Sequence, residues 1–121
     1  LELYYDANGS YPEVGWVHSV DANWQSNTLA NALRPYLSAL PVDPQNNGCC
    51  GYSGAYTYSY YSSDYRSAGQ TNQQWYMIVF RLENQTHPVQ ATDGVRPCSA
   101  SPPFHYGSGS NGIMTVGGNC I

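Results

Sequence analysis

Two strand-like runs in the middle of the chain are the strongest constraint on its fold. Residues 55–61 alternate large aromatic side chains with small ones, and Tyr56, Tyr58 and Tyr60 fall on one face of the pattern. A period of two is typical of a half-exposed strand. Residues 75–83 form the most apolar run of the chain, which predicts a central strand. The two runs together predict an antiparallel pair.

Short helices are predicted on the N-terminal side of these strands. Leu1, Tyr4 and Tyr5 have the spacing of one helix face, and Gly9 is well placed to end that helix in the left-handed conformation. A second helix is predicted over residues 27–33, where Ser or Asn can cap its first turn.

The remaining segments give weaker signals. Pro35 should interrupt the second helix, with a short further turn of helix to Leu40. Residues 13–24 show no clear period, and residues 41–48 have the composition of a loop. Residues 113–116 predict a third strand. The sequence therefore predicts an α+β domain, with helix first and a small antiparallel sheet of three or four strands after it.

The sequence has few aliphatic side chains to form a core, so its four cysteines are candidates for stabilising the fold. Val, Ile, Leu and Phe together number 20 of 121 residues, so we expect buried tyrosine rings and disulfides to supplement the core. The four cysteines are Cys49, Cys50, Cys98 and Cys120, an even count that indicates an oxidising compartment. Added reductant should therefore lower the melting temperature.

Three disulfide pairings are open. A bond between the adjacent Cys49 and Cys50 would be strained, so we expect each of them to pair with a distant cysteine. Four free thiols are an alternative. Zinc is a weaker one, because there is no CxxC spacing and adjacent cysteines chelate a tetrahedral ion poorly.

The charge of the chain argues against nucleic-acid binding. The formal net charge is −4, and the chain has four arginines and no lysine. Neutralising phosphates needs a dense basic face, which four scattered arginines do not supply. An anionic membrane surface is an unfavourable partner for the same reason.

No motif predicts catalysis or a cofactor. His18, His87 and His105 are too far apart in sequence for a compact metal chelate, so we expect them at the surface. The chain has no GxSxG elbow, and its glycine-rich tail lacks the lysine of a phosphate loop. We expect a protein that is not an enzyme and holds no cofactor.

The tyrosine run supports a second functional interpretation. Exposed rings of Tyr56, Tyr58 and Tyr60 would suit stacking on sugars, as in a secreted carbohydrate-binding or adhesin module. The alternative is that these rings pack against a helix and form part of the core. Asn8 and Asn84 each begin a short glycosylation acceptor pattern, which often arises by chance.

Three segments, in order, resemble type IV pilins and the pseudopilins of type II secretion. Residues 1–12 are similar to the end of the long N-terminal helix and its exit. Residues 33–44 are similar to the stretch that precedes the sheet. Residues 56–58 and 76–84 are similar to the sheet hairpin. The resemblance extends to residue 84 and fades beyond it.

The resemblance implies one pilin-like globular domain over residues 1–121. Residues 1–8 would end the long N-terminal helix, 9–54 would form the region between helix and sheet, and 55–84 the hairpin. Residues 85–121 would be the variable C-terminal region, in which Cys98 and Cys120 would bound a loop. The acid pair of a pseudopilin calcium site is missing, so the resemblance does not extend to that calcium site.

The resemblance also implies a function as a filament subunit. Such a subunit lies outside the cell or in the periplasm, is anchored in the inner membrane by an apolar N-terminal helix before assembly, and packs against copies of itself and related pilins. Leu1, Leu3 and Tyr4 would then form the assembly face.

Overall fold

The computed structural model describes residues 1–62, 74–84 and 112–117. Helix α1 spans Glu2–Asn8, and α2 spans Thr28–Leu33. The strands are β1 at Val14–His18, β2 at Ser59–Ser62, β3 at Met77–Arg81 and β4 at Ile113–Val116. A 3₁₀ turn at Gly51–Ser53 precedes β2.

The four strands form one antiparallel sheet in the order β1-β2-β3-β4. The predicted α+β class is therefore confirmed, as is a strand within each of the predicted runs 55–61, 75–83 and 113–116. Strands β2 and β3 are shorter than predicted, because β2 begins only at Ser59 and β3 only at Met77. Helix α1 has seven residues within the sequence, and its continuation into a longer N-terminal helix stays a prediction. The loop bounded by Cys98 and Cys120 lies outside the described residues and stays a prediction.

Both helices end or begin as the local sequence predicts. Gly9 has φ +71°, and its N–H donates to the carbonyl of Tyr5 at 2.7 Å, closing α1. Asn27 caps α2, because its Oδ1 accepts from the N–H of Ala30 at 2.9 Å. The predicted further turn of helix to Leu40 is wrong. The chain instead turns after Leu33, with the ring of Pro35 providing no N–H to continue the helix.

Strand β1 was not predicted, and a β-bulge explains why. Val14 pairs with Ser62 and Val17 pairs with Tyr60, so one extra residue lies between the two pairs on the β1 side. Val14 and Val17 consequently pack on the same face of the sheet although they are three residues apart. The bulge removes the period of two from the sequence.

The two faces of the sheet carry different clusters. The face that we call the helix face packs Tyr60 and Ile78 against Leu29 and Leu33 of α2. The opposite face carries a second cluster around Trp75, Met77, Val79 and Ile113. Of the tyrosines predicted to form a surface, Tyr60 is 2% exposed, because it fills the space between the sheet and α2.

Candidate functional site

Helix α1 divides the predicted assembly face into an inner and an outer part. Leu1 and Tyr4 pack against the cluster on the helix face. Leu3 lies on the other side of the helix and is 65% exposed. A helix turns by about 100° per residue, so position 3 is roughly opposite positions 1 and 4–5. Of the three residues, Leu3 is therefore exposed, whereas Leu1 and Tyr4 are partly buried.

A hydrogen-bonded joint fixes α1 on the sheet. The Tyr11 hydroxyl donates to both carboxylate oxygens of Glu2, at 3.0 and 3.2 Å, and the Tyr76 hydroxyl approaches Glu2 at 3.4 Å. The Tyr11 ring lies 4.7 Å from that of Tyr5 and 4.6 Å from that of Tyr76. Burial, and then the Glu2 carboxylate, raise the pKa of Tyr11 well above its usual value. The Tyr11 hydroxyl therefore stays protonated, and able to donate its hydrogen bond to Glu2, to a higher pH than an ordinary tyrosine would.

An apolar cavity opens beside the start of α1. Its volume is about 210 Å³, and Leu1, Leu33, Leu37 and Ile78 contribute to its lining. Leu37 is 45% exposed at its rim. Apolar surface therefore continues from the beginning of α1 to the turn that follows α2.

A separate groove carries the other two predicted tyrosines. It has a volume of about 490 Å³, and Tyr56, Tyr58 and Phe80 line it together with Asp43 and Arg81. The Arg81 guanidinium lies over the Tyr56 ring, 4.8 Å from its centroid. The Tyr58 ring is nearly perpendicular to that of Phe80, at 86°. Of the two alternatives for these tyrosines, packing against a helix holds for Tyr60, which is buried, whereas Tyr56 and Tyr58 are half-buried in the groove.

The structure corrects the expected pairing of two cysteines. Cys49 and Cys50 are bonded to each other through a disulfide. The peptide bond between them is cis, and their Cα atoms are 3.1 Å apart. A bond between neighbours closes no long loop, so it adds little of the stabilisation expected from a disulfide. Cys98 and Cys120 lie outside the described residues.

The position of His18 also differs from the prediction. His18 is 8% exposed, not at the surface, because strand β1 turns its side chain to the face opposite the helices. Its Nδ1 lies 2.8 Å from the Ser59 hydroxyl, and the Trp16 ring stacks near it at 6.1 Å. Burial lowers the pKa of His18, opposed in part by the Asp21 carboxylate. His87 and His105 lie outside the described residues.

His18 meets the two cysteines in space. One ligand atom from each of His18, Cys49 and Cys50 lies within 4.8 Å of the others. Among the described residues this is the one group of three or more His, Cys, Asp or Glu side chains that are close enough to hold a metal ion. Sequence reasoning missed it because position 18 and positions 49–50 are joined only through the β1–β2 pairing and the loop before β2. No sequence motif signals that contact.

The two glycosylation candidates are exposed. Asn8 ends α1, and its side-chain Nδ2 donates to the carbonyl of Tyr4 at 2.8 Å. Asn84 follows β3 and is exposed as well. Modification of either residue stays a prediction.

Comparisons with known proteins add no family to these observations. No family model, no curated protein and no solved structure matches the chain. Within residues 1–62, 74–84 and 112–117, neither helix has the length and apolar character needed to span a bilayer.

Proposed function

We propose that the chain is the globular head of a structural filament subunit of the type IV pilus or type II secretion pseudopilus kind. The observation that carries the proposal is the two-sided α1. One side of this helix is fixed to the sheet through Leu1, Tyr4 and the Glu2–Tyr11 hydrogen bonds. The other side presents Leu3 to the surroundings.

A helix held in this way suits a subunit that assembles through it. An isolated seven-residue helix has little stability of its own, so tertiary contacts must hold it. An exposed leucine on such a helix gains stabilisation once a neighbouring subunit covers it. We therefore propose that α1 is the end of a longer assembly helix, that the partners are copies of this chain and related pilins, and that the head lies outside the cell or in the periplasm.

Thiol labelling of assembled filaments tests this proposal. In the full-length gene product, Leu3→Cys should react with a maleimide as a dissociated subunit and become at least about tenfold less reactive in filaments, because the neighbour covers it. Val42→Cys is the matched control, since Val42 is 45% exposed and belongs to the loop after α2. We expect it to react equally in both states. Equal reactivity of position 3 in both states would contradict an assembly face on α1.

A carbohydrate-binding or adhesin module is the second candidate. The groove lined by Tyr58 and Phe80 supports it, since aromatic side chains beside Asp43 and Arg81 combine ring faces with polar groups. The upstream sequence of the gene separates the two. A short basic leader followed by an apolar run with a glutamate a few residues in favours the filament subunit. A cleavable secretory signal directly before Leu1 favours the module.

A further inference from the structure

We propose that His18, Cys49 and Cys50 form a copper(I) site that opens when the Cys49–Cys50 disulfide is reduced. The first argument is distance. The three ligand atoms lie within 4.8 Å of one another. Metal–sulfur and metal–imidazole bonds of about 2.0–2.3 Å set ligand atoms roughly 4 Å apart around a three-coordinate ion. Both sulfurs lie within 4.8 Å of the His18 ligand atom, and after reduction they must separate from bonding distance to about 4 Å for both to bind the ion.

One hydroxyl connects His18 to residues 49–53, which we call the cysteine turn. The Ser59 Oγ lies 2.8 Å from His18 Nδ1 and also accepts the N–H of Gly51 at 2.8 Å. Gly51 directly follows Cys50, and Ser59 pairs with His18 across β1 and β2. A histidine that binds a metal through one ring nitrogen is generally held through the other. Ser59 supplies such a contact and is itself fully buried.

The cysteine turn is held by hydrogen bonds that do not depend on the disulfide. The Ser53 hydroxyl accepts the N–H of Cys50 at 2.9 Å and lies 2.9 Å from the Cys50 carbonyl oxygen. The backbone at Gly51 is so close to β3 that an added Cβ would clash with the Val79 carbonyl oxygen. Reduction therefore leaves the two thiols beside His18.

A dithiol can serve as the reductant in the redox step. A thiolate of the dithiol attacks the sulfur of Cys49, whose residue is exposed while Cys50 is 6% exposed. The Cys49–Cys50 bond breaks, and the Cys50 thiolate takes up a proton. The second thiol of the reductant then attacks the mixed disulfide and releases the Cys49 thiol. The protein gains two electrons and two protons, and the dithiol becomes a cyclic disulfide.

The donor set favours copper(I) over zinc. Thiolate sulfur is a soft ligand that selects copper(I), and imidazole also suits copper. Copper(I) is stable with three ligands, whereas structural zinc takes four in a tetrahedron. The described part of the chain brings no fourth His, Cys, Asp or Glu into this group. Binding of one copper(I) by two thiols and one neutral imidazole releases two protons.

Competition with a chromophoric copper(I) chelator tests the site. The full chain is reduced with a phosphine under argon and titrated against the copper(I) complex of bathocuproine disulfonate. We expect the reduced chain to withdraw one copper per molecule and the oxidised chain to withdraw none. A Cys49→Ser, Cys50→Ser double variant should lose this binding. Undiminished copper uptake by that variant would assign the metal to other residues and overturn the proposal.

Single substitutions distinguish a copper ligand from a residue that orients the ligand and from a residue outside the site. His18→Ala should weaken copper binding more than Ser59→Ala, for which we expect about a tenfold loss because the ring loses its orienting contact. Ser62→Ala is the matched control. Ser62 is as fully buried in the same strand, but its hydroxyl donates to the Trp75 carbonyl at 2.8 Å. We expect its copper affinity to equal that of the wild type, and equal affinity of His18→Ala would overturn the proposal.

X-ray absorption of the copper-loaded wild type decides the matter if a variant fails to fold. We expect two sulfur ligands and one nitrogen ligand around copper. A shell of sulfur alone, or zinc binding in preference to copper from an equimolar mixture, would contradict the assignment.

Discussion

The two faces of the sheet differ in how their contacts are encoded. On the helix face, Leu29 and Leu33 come from a short amphipathic helix and meet Tyr60 of the adjoining strand. On the opposite face, His18 and Ser59 are neighbours because two strands pair in a particular register. The α2 part of the helix face thus rests on a local sequence pattern, whereas the His18–Ser59 contact on the opposite face rests on the pairing of distant parts of the chain. Substitutions should separate the two kinds of encoding.

The largest effect is expected on the helix face. Leu33→Ala removes a side chain that is 4% exposed in the cluster around Trp24 and Tyr60. It should lower the free energy of unfolding by about 2–5 kcal/mol, because lost burial and the remaining cavity both contribute. Urea unfolding followed by fluorescence measures it. Leu3→Ala in the 65% exposed position of α1 is the control, with an expected change within about 0.5 kcal/mol.

A smaller effect is expected where the cysteine turn meets β3. Gly51→Ala places a Cβ against the Val79 carbonyl, a backbone group that cannot rotate away. The free energy of unfolding should fall by about 1–3 kcal/mol, as for overpacked sites. Gly15→Ala is the matched control in β1, because its added Cβ has no heavy atom within 4 Å. If both variants unfold at the same urea concentration as the wild type, the close approach of turn and strand is refuted.

The smallest effect concerns α1 and appears only at high pH. Burial and the Glu2 carboxylate raise the pKa of Tyr11 above the value of 10.0 that an unfolded tyrosine has. Its contribution to stability is complete below pH 10 and falls as the pH rises further, since the unfolded chain loses the proton first. Tyr11→Phe should remove up to about 1.4 kcal/mol per pH unit from this decline.

Urea unfolding of the wild type and of Tyr11→Phe at several pH values from about pH 8 to about pH 11 checks this expectation. Tyr76→Phe provides a second test, because burial raises the pKa of Tyr76 in the same direction, with Glu2 as the next cause. Parallel stability curves for all three proteins would show that the Glu2 joint does not couple α1 to pH.

The comparison of the faces also explains what the sequence predicted. Gly9 and Asn27 act within one helical turn, so the local sequence indicated where α1 ends and where α2 begins. The apolar run around β3 predicted a central strand. The structure confirms this prediction, because β3 lies between β2 and β4. These elements depend on side chains close together in the chain, which is the information that local patterns hold.

The features that were missed depend on register. The bulge in β1 placed Val14 and Val17 on one face at a spacing that suggests neither helix nor strand. The same strand delivered His18 to Ser59 and to the cysteine turn. Periodicity and motif spacing contain no information on such pairings, so neither the strand nor the group of three ligands was predicted.

The bulge in β1 also affects how copies of this chain could contact one another. In the described sheet, β1 is an edge, and a regular edge strand offers its free hydrogen-bonding groups to any neighbouring chain. The shift between Val14 and Val17 interrupts that row of groups. A second copy cannot continue the sheet along the whole of this edge. The irregular edge thereby disfavours uncontrolled strand addition and aggregation.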